Sequence, residues 1–142
     1  MNNRDCIFCK IVADQLDAFR IAETASALAF LDLIQAQPGH VLVIPKRHYA
    51  DLYEMPEAEA AAVMTLGHRV ARAVRAALQP AGLSVFQSNG AAAGQEVMHM
   101  HLHLQPRAAG DSLLRIYPSS PDASGAAELE RLAVRIRDRL AR

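Results

Sequence analysis

The clearest pattern in the chain is a strict alternation of histidine with apolar residues between Met98 and Leu104. Successive side chains of a β-strand point to opposite faces, so this period of two predicts a strand. One face of that strand would carry His99, His101 and His103, and the other would join the hydrophobic core. Neighbouring imidazoles on such a face lie roughly 6.6 Å apart at the Cα, which lets one phosphate-sized group meet two of them.

Apolar runs bounded by turn residues predict four further strands. They cover residues 19–22, 26–31, 40–45 and 83–88. The first two should form a hairpin, and the almost continuous apolar run at 40–45 is typical of a strand in the centre of a sheet. The fourth precedes a glycine-containing loop at 89–96, so we expect it to pair antiparallel with the histidine strand.

Helical spacing of apolar residues follows in three other places. A short helix or turn is expected near residues 6–12, and a long helix should begin at Pro56 and end before Pro80. One apolar stripe would pack the long helix on the sheet, and it consists of Val63, Leu66, Val70, Val74 and Ala77. A C-terminal amphipathic helix is expected at about 124–141, with its arginines on a solvated face.

Composition is consistent with one domain of the α+β class. The chain has 142 residues, of which 51% are hydrophobic, and its 15 basic and 15 acidic residues balance. This balance argues against a dedicated nucleic-acid binder. With neither a long apolar run nor a signal-like start, we expect a cytoplasmic protein without a membrane part. The single domain would span residues 1–142, with a core at about 6–107 and a C-terminal extension.

The histidine row is compatible with two chemistries. Two His-x-His imidazoles and a third ligand can hold a catalytic zinc that keeps one position for water. Alternatively, one imidazole attacks phosphorus itself and forms a phosphoramidate that water later cleaves, while a neighbouring histidine stabilises the developing charge. The preceding loop favours the second chemistry, because the amides of Asn89 and Gln95 and the exposed N–H groups of its glycines suit phosphate oxygens.

Cys6 and Cys9 form the only C-x-x-C of the sequence. Two cysteines do not make a disulfide framework, so the pair is a metal site, a redox pair or incidental. A thioredoxin-like redox pair needs a preceding strand and a βαβ context, and this N-terminus has neither. Metal binding and free thiols therefore remain as the two interpretations.

Together these segments resemble the histidine triad family of nucleotide hydrolases and transferases. The resemblance is carried by His-Met-His-Leu-His-Leu at 99–104, by Asn-Gly and Gly-Gln within 89–95, and by Pro-Gly-His to Pro-Lys-Arg-His at 38–48. These motifs occur in the family's order and spacing, and the match extends from Cys6 to about Arg107. The chain departs from the family pattern at Gln105, where the family motif has a second apolar residue.

The resemblance implies an antiparallel sheet of about five strands with one long helix across it, in a homodimer. It implies that His101 attacks the α-phosphorus and carries the nucleoside monophosphate covalently, while His103 contacts the phosphate and supports departure of the leaving group. The related uridylyltransferases have glutamine at the position of His103, so histidine here favours water as the final acceptor. No catalytic metal is required for this attack.

A purine nucleotide is the substrate that the resemblance implies. Asp32 matches the carboxylate that accepts hydrogen bonds from the ribose hydroxyls, and Asn89, Gly94 and Gln95 match the loop that contacts the phosphate. The walls of the base pocket would be formed by Phe8, Ile11, Phe30 and Leu33.

Several bacterial-type members of the family place a zinc ion on an N-terminal C-x-x-C together with two histidines. By resemblance, the ligands here are Cys6, Cys9, His48 and His99. A closed Cys₂His₂ tetrahedron has no water position, so it is a structural site. His99 would then be a ligand rather than a catalyst, and His40 would support the active site or the core.

The expected function is hydrolysis at the α-phosphate of a purine nucleotide through a covalent nucleotidyl-histidine. Nucleoside phosphoramidates and dinucleoside polyphosphates are both candidate substrates, and the segment Gln-Pro-Arg at 105–107 is more similar to the second branch. Two alternatives stay open. One is a metallohydrolase whose histidine row holds zinc, and the other is a nucleotide-binding protein without useful turnover.

Overall fold

A computed structural model of the chain describes residues 5–113 and 123–140, and its centre is a five-stranded antiparallel sheet. The strands are β1 (Arg20–Glu23), β2 (Ala27–Leu31), β3 (Val41–Pro45), β4 (Gly82–Phe86) and β5 (Leu102–Arg107). The helices are α1 (Ile7–Val12), α2 (Glu57–Leu78) and α3 (Ala126–Leu140). The strand order is β1-β2-β3-β5-β4, which confirms the predicted α+β fold and the central position of β3.

Each face of the sheet packs against a different helix. The long helix α2 covers one face with Val63, Leu66, Val70 and Val74, which meet Ala27, Ala29, Val41, Val43, Met100, Leu102 and Leu104. The short helix α1 covers part of the other face, and there Phe8 and Ile11 meet Leu28, Phe30, Leu42 and Ile44. Alternate residues of β2 and β3 therefore enter two separate cores, because successive side chains of a strand point to opposite faces.

The boundaries of α2 follow from local chemistry. Pro56 is extended at ψ 143° and precedes the helix, which begins at Glu57. The helix ends at Leu78 because Gln79 adopts a left-handed conformation with φ 47°. The exposed Ala77 does not belong to the buried stripe, in contrast to the prediction. Leu78 instead lies against Gly39, where an added Cβ would clash with the leucine Cδ1.

The histidine segment is only partly a strand. The regular ladder of β5 begins after His101, so the prediction of a strand from Met98 onwards was wrong at its start. The His99 imidazole donates from Nε2 to the carbonyl of Pro45, the last residue of β3, at 2.9 Å. The next amide, that of Met100, donates to Tyr49 O at 2.7 Å. The backbone therefore leaves β3 at this point, although the side chains still alternate between the two faces.

The C-terminal helix α3 lies on the outside of the molecule. None of its residues is buried, and its arginines are exposed as predicted. It begins at Ala126, slightly later than expected, and residue 141 lies outside the described residues. Within the described ranges 5–113 and 123–140, no helix has the length and apolar character needed to cross a membrane.

Candidate active site and metal centre

A cleft of about 540 Å³ opens on the α1 side of the sheet. One wall comes from α1 and the end of β2, and it includes Phe8, Ile11, Phe30, Asp32 and Leu33. The opposite wall comes from the end of β4 and the loop behind it, and it includes Phe86, Ser88, Gly94 and Glu96. His101 and His103 lie between these walls, since the sheet order places β5 between β2 and β4.

His101 is buried and held in one orientation. Its Nδ1 lies 2.7 Å from the backbone carbonyl of His99. A carbonyl oxygen only accepts, so Nδ1 carries the proton and donates it. The lone pair of a neutral imidazole is then on Nε2, which is the nitrogen available to the cleft. The ring of His103 stands next to it, with centroids 4.8 Å apart.

His103 is clamped between an aromatic ring and a second histidine. Phe86 stacks on it with centroids 4.4 Å apart and planes 5° apart. Its Nδ1 lies 3.0 Å from Nε2 of His40. Burial, with smaller contributions from His101 and His40, lowers the pKa of His103 to about 4. The ring is therefore neutral at neutral pH.

His40 connects this ring to the neighbouring wall. Its Nδ1 faces two acceptors, Ile34 O at 3.3 Å and a carboxylate oxygen of Asp32 at 3.5 Å. The proton of neutral His40 is then on Nδ1, so His103 donates its own Nδ1 proton to His40. Asp32, His40 and His103 lie close enough to suggest a metal site. We interpret them instead as a hydrogen-bonded chain, because His40 uses one nitrogen toward each neighbour.

The structure brings most of the predicted nucleotide-binding residues to the cleft. Those that line it are Phe8, Ile11, Phe30, Asp32, Leu33 and Gly94. Asn89 and Gln95 belong to the loop after β4 but do not line the cleft. The Gln95 amide accepts from Gly90 N and donates to Ala50 O and Val97 O, while Asn89 Oδ1 accepts from Leu52 N. Both amides hold the shape of the loop in this arrangement.

Sequence reasoning missed four polar or aromatic residues of the cleft, namely Asp17, Phe86, Ser88 and Glu96. The signal for Phe86 is its register, because it pairs directly with His103 across β4 and β5. Register depends on the turn geometry and on packing, so the sequence alone does not fix it. Nothing in the sequence distinguishes the other three from ordinary polar residues of turns.

The four predicted metal ligands converge at one point beside the cleft. The ligand atoms of Cys6, Cys9, His48 and His99 all lie within 4.8 Å of one another. The thiol of Cys6 is 3.4 Å from Nδ1 of His99, and that of Cys9 is 3.3 Å from Nδ1 of His48. Two sulfurs and two imidazoles are a donor set that zinc accepts in a tetrahedron.

Hydrogen bonding and burial prepare these donors for a cation. Nε2 of His99 donates to Pro45 O, which leaves the lone pair of Nδ1 facing the thiols. Burial lowers the pKa of His99 to about 4, so the ring is a neutral ligand. Burial and the neighbouring Cys6 raise the pKa of Cys9 to about 11. A divalent cation between the sulfurs would reverse that shift, because it favours the thiolates. The side chains fit a zinc ion.

Helix α1 joins the metal centre to the cleft. Its residue Phe8 lies between the two cysteines in sequence and forms part of the cleft wall. The Phe8 ring meets His99 at 5.7 Å, His101 at 5.3 Å and Phe30 at 5.6 Å between centroids. The edge-to-face contacts fix the wall against both histidines.

Comparisons with known proteins agree with this geometry. A model of the HIT domain matches residues 13–110. Adenosine 5'-monophosphoramidase hnt1 of Schizosaccharomyces pombe is 39% identical over 121 residues, which cover 82% of this chain and 88% of that protein. A HIT family protein from Bacillus anthracis has a similar crystal structure, with a TM-score of 0.88 and 35% identity over 94% of this chain and 96% of that chain.

A second solved structure is similar over nearly the whole chain. A zinc-bound histidine triad family protein from Mycobacterium smegmatis has a TM-score of 0.74 and 37% identity to this chain, and the alignment covers 98% of this chain and 99% of that one. The matched domain, these similarities over nearly the whole length and the histidine row agree with the resemblance seen in the sequence. The chain therefore belongs to the HIT domain family.

Proposed function

We propose that the protein hydrolyses purine nucleotides at the α-phosphate, with His101 as the nucleophile. The observation that carries this proposal is the hydrogen bond from His101 Nδ1 to the His99 carbonyl, which leaves Nε2 unprotonated at the cleft. A neutral imidazole with a directed lone pair is suited to attack phosphorus. The name of the Schizosaccharomyces pombe relative, a monophosphoramidase, supports a nucleotide as the substrate.

The reaction has two displacements at one phosphorus atom. Nε2 of His101 forms a bond to the α-phosphorus while the bond to the leaving group breaks. Water then attacks the same phosphorus, the bond to His101 breaks, and the nucleoside monophosphate is released with the imidazole restored. His103 contacts the phosphate and assists the leaving group in the form that carries a proton on Nε2. In the free cleft that nitrogen has a lone pair, because the Nδ1 proton is donated to His40. The place of His103 in the chain from Asp32 through His40 fixes its ring for the phosphate contact.

The nucleoside binds along the wall formed by α1 and β2. The ribose hydroxyls donate to Asp32, and the base lies among Phe8, Ile11, Phe30 and Leu33. Gly94 offers its backbone at the phosphate, and an added Cβ there would meet nothing within 4 Å. Asn89 and Gln95 support nucleotide binding indirectly, because their side-chain amides hold the shape of the loop that carries Gly94.

Zinc is proposed as a structural ion on the two cysteines, His48 and His99, and no catalytic metal is required. The chain acts as one domain in the cytoplasm, with a core at about 6–107 and α3 as an extension. A homodimer is also proposed. β4 is an edge strand with Val85 47% exposed, and such an edge can pair with the β4 of a second copy.

The test is intact mass spectrometry on protein mixed with an adenosine phosphoramidate and quenched in mildly alkaline denaturant. A transient increase by the mass of one AMP unit is expected, absent in His101→Ala. A matched control is His68→Ala, since this exposed histidine lies on α2. Turnover without an adduct that stops on metal removal would support a metallohydrolase instead. Tight AMP binding with no turnover would support a binding protein.

A further inference from the structure

The charges around the cleft all have one sign. Among the described residues that line it there are three carboxylates, Asp17, Asp32 and Glu96, and no lysine or arginine. Sites that bind several phosphates usually contain such cations, because these pair directly with phosphate oxygens. The cleft therefore suits one phosphate group and poorly suits a leaving group that carries more negative charge.

The three carboxylates occupy different parts of the cleft. Asp32 follows β2 and faces His40, and Asp17 comes from the segment after α1. Glu96 belongs to the opposite wall, next to the loop behind β4. If the nucleoside lies along the α1 and β2 wall and the α-phosphorus lies at His101, the leaving group departs toward the wall that carries Glu96.

The Glu96 carboxylate is available to a ligand. The side chain is exposed, and no lysine, arginine or histidine among the described residues lies within 4.0 Å of its oxygens. The backbone that carries it is held in place, because the preceding Gln95 is buried and hydrogen-bonded to Gly90, Ala50 and Val97. An exposed carboxylate on such a backbone, at the leaving-group wall, attracts a cation and repels an anion.

Arg107 does not compensate for this negative charge. It ends β5, and its guanidinium is bound by Asp111 and by the hydroxyl of Ser84. It borders a separate depression formed by the C-terminal end of α2 and the end of β5. Residues 105–107 are similar in sequence to the dinucleoside polyphosphate branch, but the arginine of this segment does not line the cleft.

We propose that Glu96 sets the class of leaving group, and that the preferred substrates are nucleoside phosphoramidates whose amine carries a second, positively charged group. This inference rests on the proposed function. The phosphorus–nitrogen bond of the substrate breaks as the bond to His101 forms, and the amine leaves with a proton taken from the site or from water. Glu96 meets the distant ammonium and no reacting atom, so it determines specificity rather than chemistry.

The test uses three adenosine phosphoramidates with the same six-carbon linker, ending in an ammonium, a methyl or a carboxylate group. At low salt, the native protein should have a kcat/KM about tenfold higher for the ammonium substrate than for the carboxylate substrate. This ratio should fall to near one in Glu96→Gln and invert in Glu96→Lys. Added salt should shrink it in the native protein, because the carboxylate is exposed.

The methyl substrate and Asp17→Asn are the matched controls. The methyl substrate should be hydrolysed equally by all variants, and Asp17→Asn should keep the native preference, since Asp17 lies on the other wall. An unchanged ratio in both Glu96 variants, with the methyl substrate still hydrolysed, would overturn the role of Glu96 and leave the proposed function intact. If the native protein hydrolyses none of the three substrates, the proposed function itself fails, and this inference with it.

Discussion

His99 and His101 are two residues apart on one face of the sheet, yet they expose opposite nitrogens. His99 gives its Nε2 proton to Pro45 O and keeps Nδ1 for the thiols. His101 gives its Nδ1 proton to the His99 carbonyl and keeps Nε2 for the cleft. The carbonyl that each ring meets decides which lone pair is free, so the same residue type is suited to metal binding at one position and to the proposed attack on phosphorus at the other.

The largest expected effect separates these two histidines. His101→Ala should reduce turnover of an adenosine phosphoramidate at least about a thousandfold, because no other group supplies the covalent step. Its zinc content should stay that of the native protein. Activity assays and metal analysis on the same samples check both statements. A loss of zinc in this variant would contradict the division of roles.

Removal of the metal centre should act first on stability. Cys9→Ser is expected to lose zinc and about 3 to 5 kcal/mol of unfolding free energy, because a bound ion stabilises only the folded state. Urea denaturation with and without a chelator measures this loss. The chelator should destabilise the native protein and leave Cys9→Ser unchanged. Equal sensitivity of both proteins would exclude a structural ion on this cysteine.

Lowering the pH should reveal the burial of the His103 ring through a loss of unfolding free energy. The pKa of His103 is about 4 in the folded protein and 6.5 when exposed. Between these pH values only the unfolded chain binds the proton, so stability is lost as the pH falls from 6.5 to 4. His103→Gln should lose about 2 kcal/mol less than the native protein over this range, after allowing for screening at the partly exposed ring. Urea titrations at pH 7.5 and 4 measure the difference.

The same titration of His68→Gln is the control, because His68 is exposed on α2. It should follow the native curve. A His103→Gln curve that also follows the native one would show that this ring titrates as if it were in water, and the clamped geometry around it would then be wrong.

The smallest expected effect concerns Phe8, which contacts both His99 and His101. Phe8→Leu keeps an apolar side chain but loses the edge-to-face contacts with both histidines. AMP binding should weaken by about 1 kcal/mol, or roughly fivefold, while zinc is retained. Isothermal titration calorimetry with AMP measures this change. Val12→Ala on the same helix, at a position that does not line the cleft, should leave the affinity within a factor of two.

The sequence predicts the sheet well because its signals are local. The alternation of His99 to Leu104 and the apolar run of β3 each depend on neighbouring residues, and both faces came out as expected. The predicted start of β5 was wrong because the His99 imidazole donates to the carbonyl of Pro45, which a backbone amide of the strand would otherwise have bonded. No periodicity can show such a competition.

The candidate site was predictable only as far as the resemblance extends. The four predicted metal ligands are far apart in sequence, and only the resemblance to the family predicted that they converge. The structure brings their ligand atoms together. Phe86 and Glu96 depend on the register of β4 and on the path of the loop, which are tertiary properties. The buried bonds of Gln95 were likewise invisible in the sequence.

The contact between Cys6 and His99 spans 93 positions of the chain. An ion held there would act as a cross-link that closes a loop of most of the folded core. Closing a loop of about a hundred residues removes roughly 4 to 5 kcal/mol of entropy from the unfolded chain in the disulfide case. A growing chain cannot complete this ligand set until His99 has been synthesised, just before β5. Zinc would therefore bind late in synthesis and join the N-terminal helix to the segment that leads into β5.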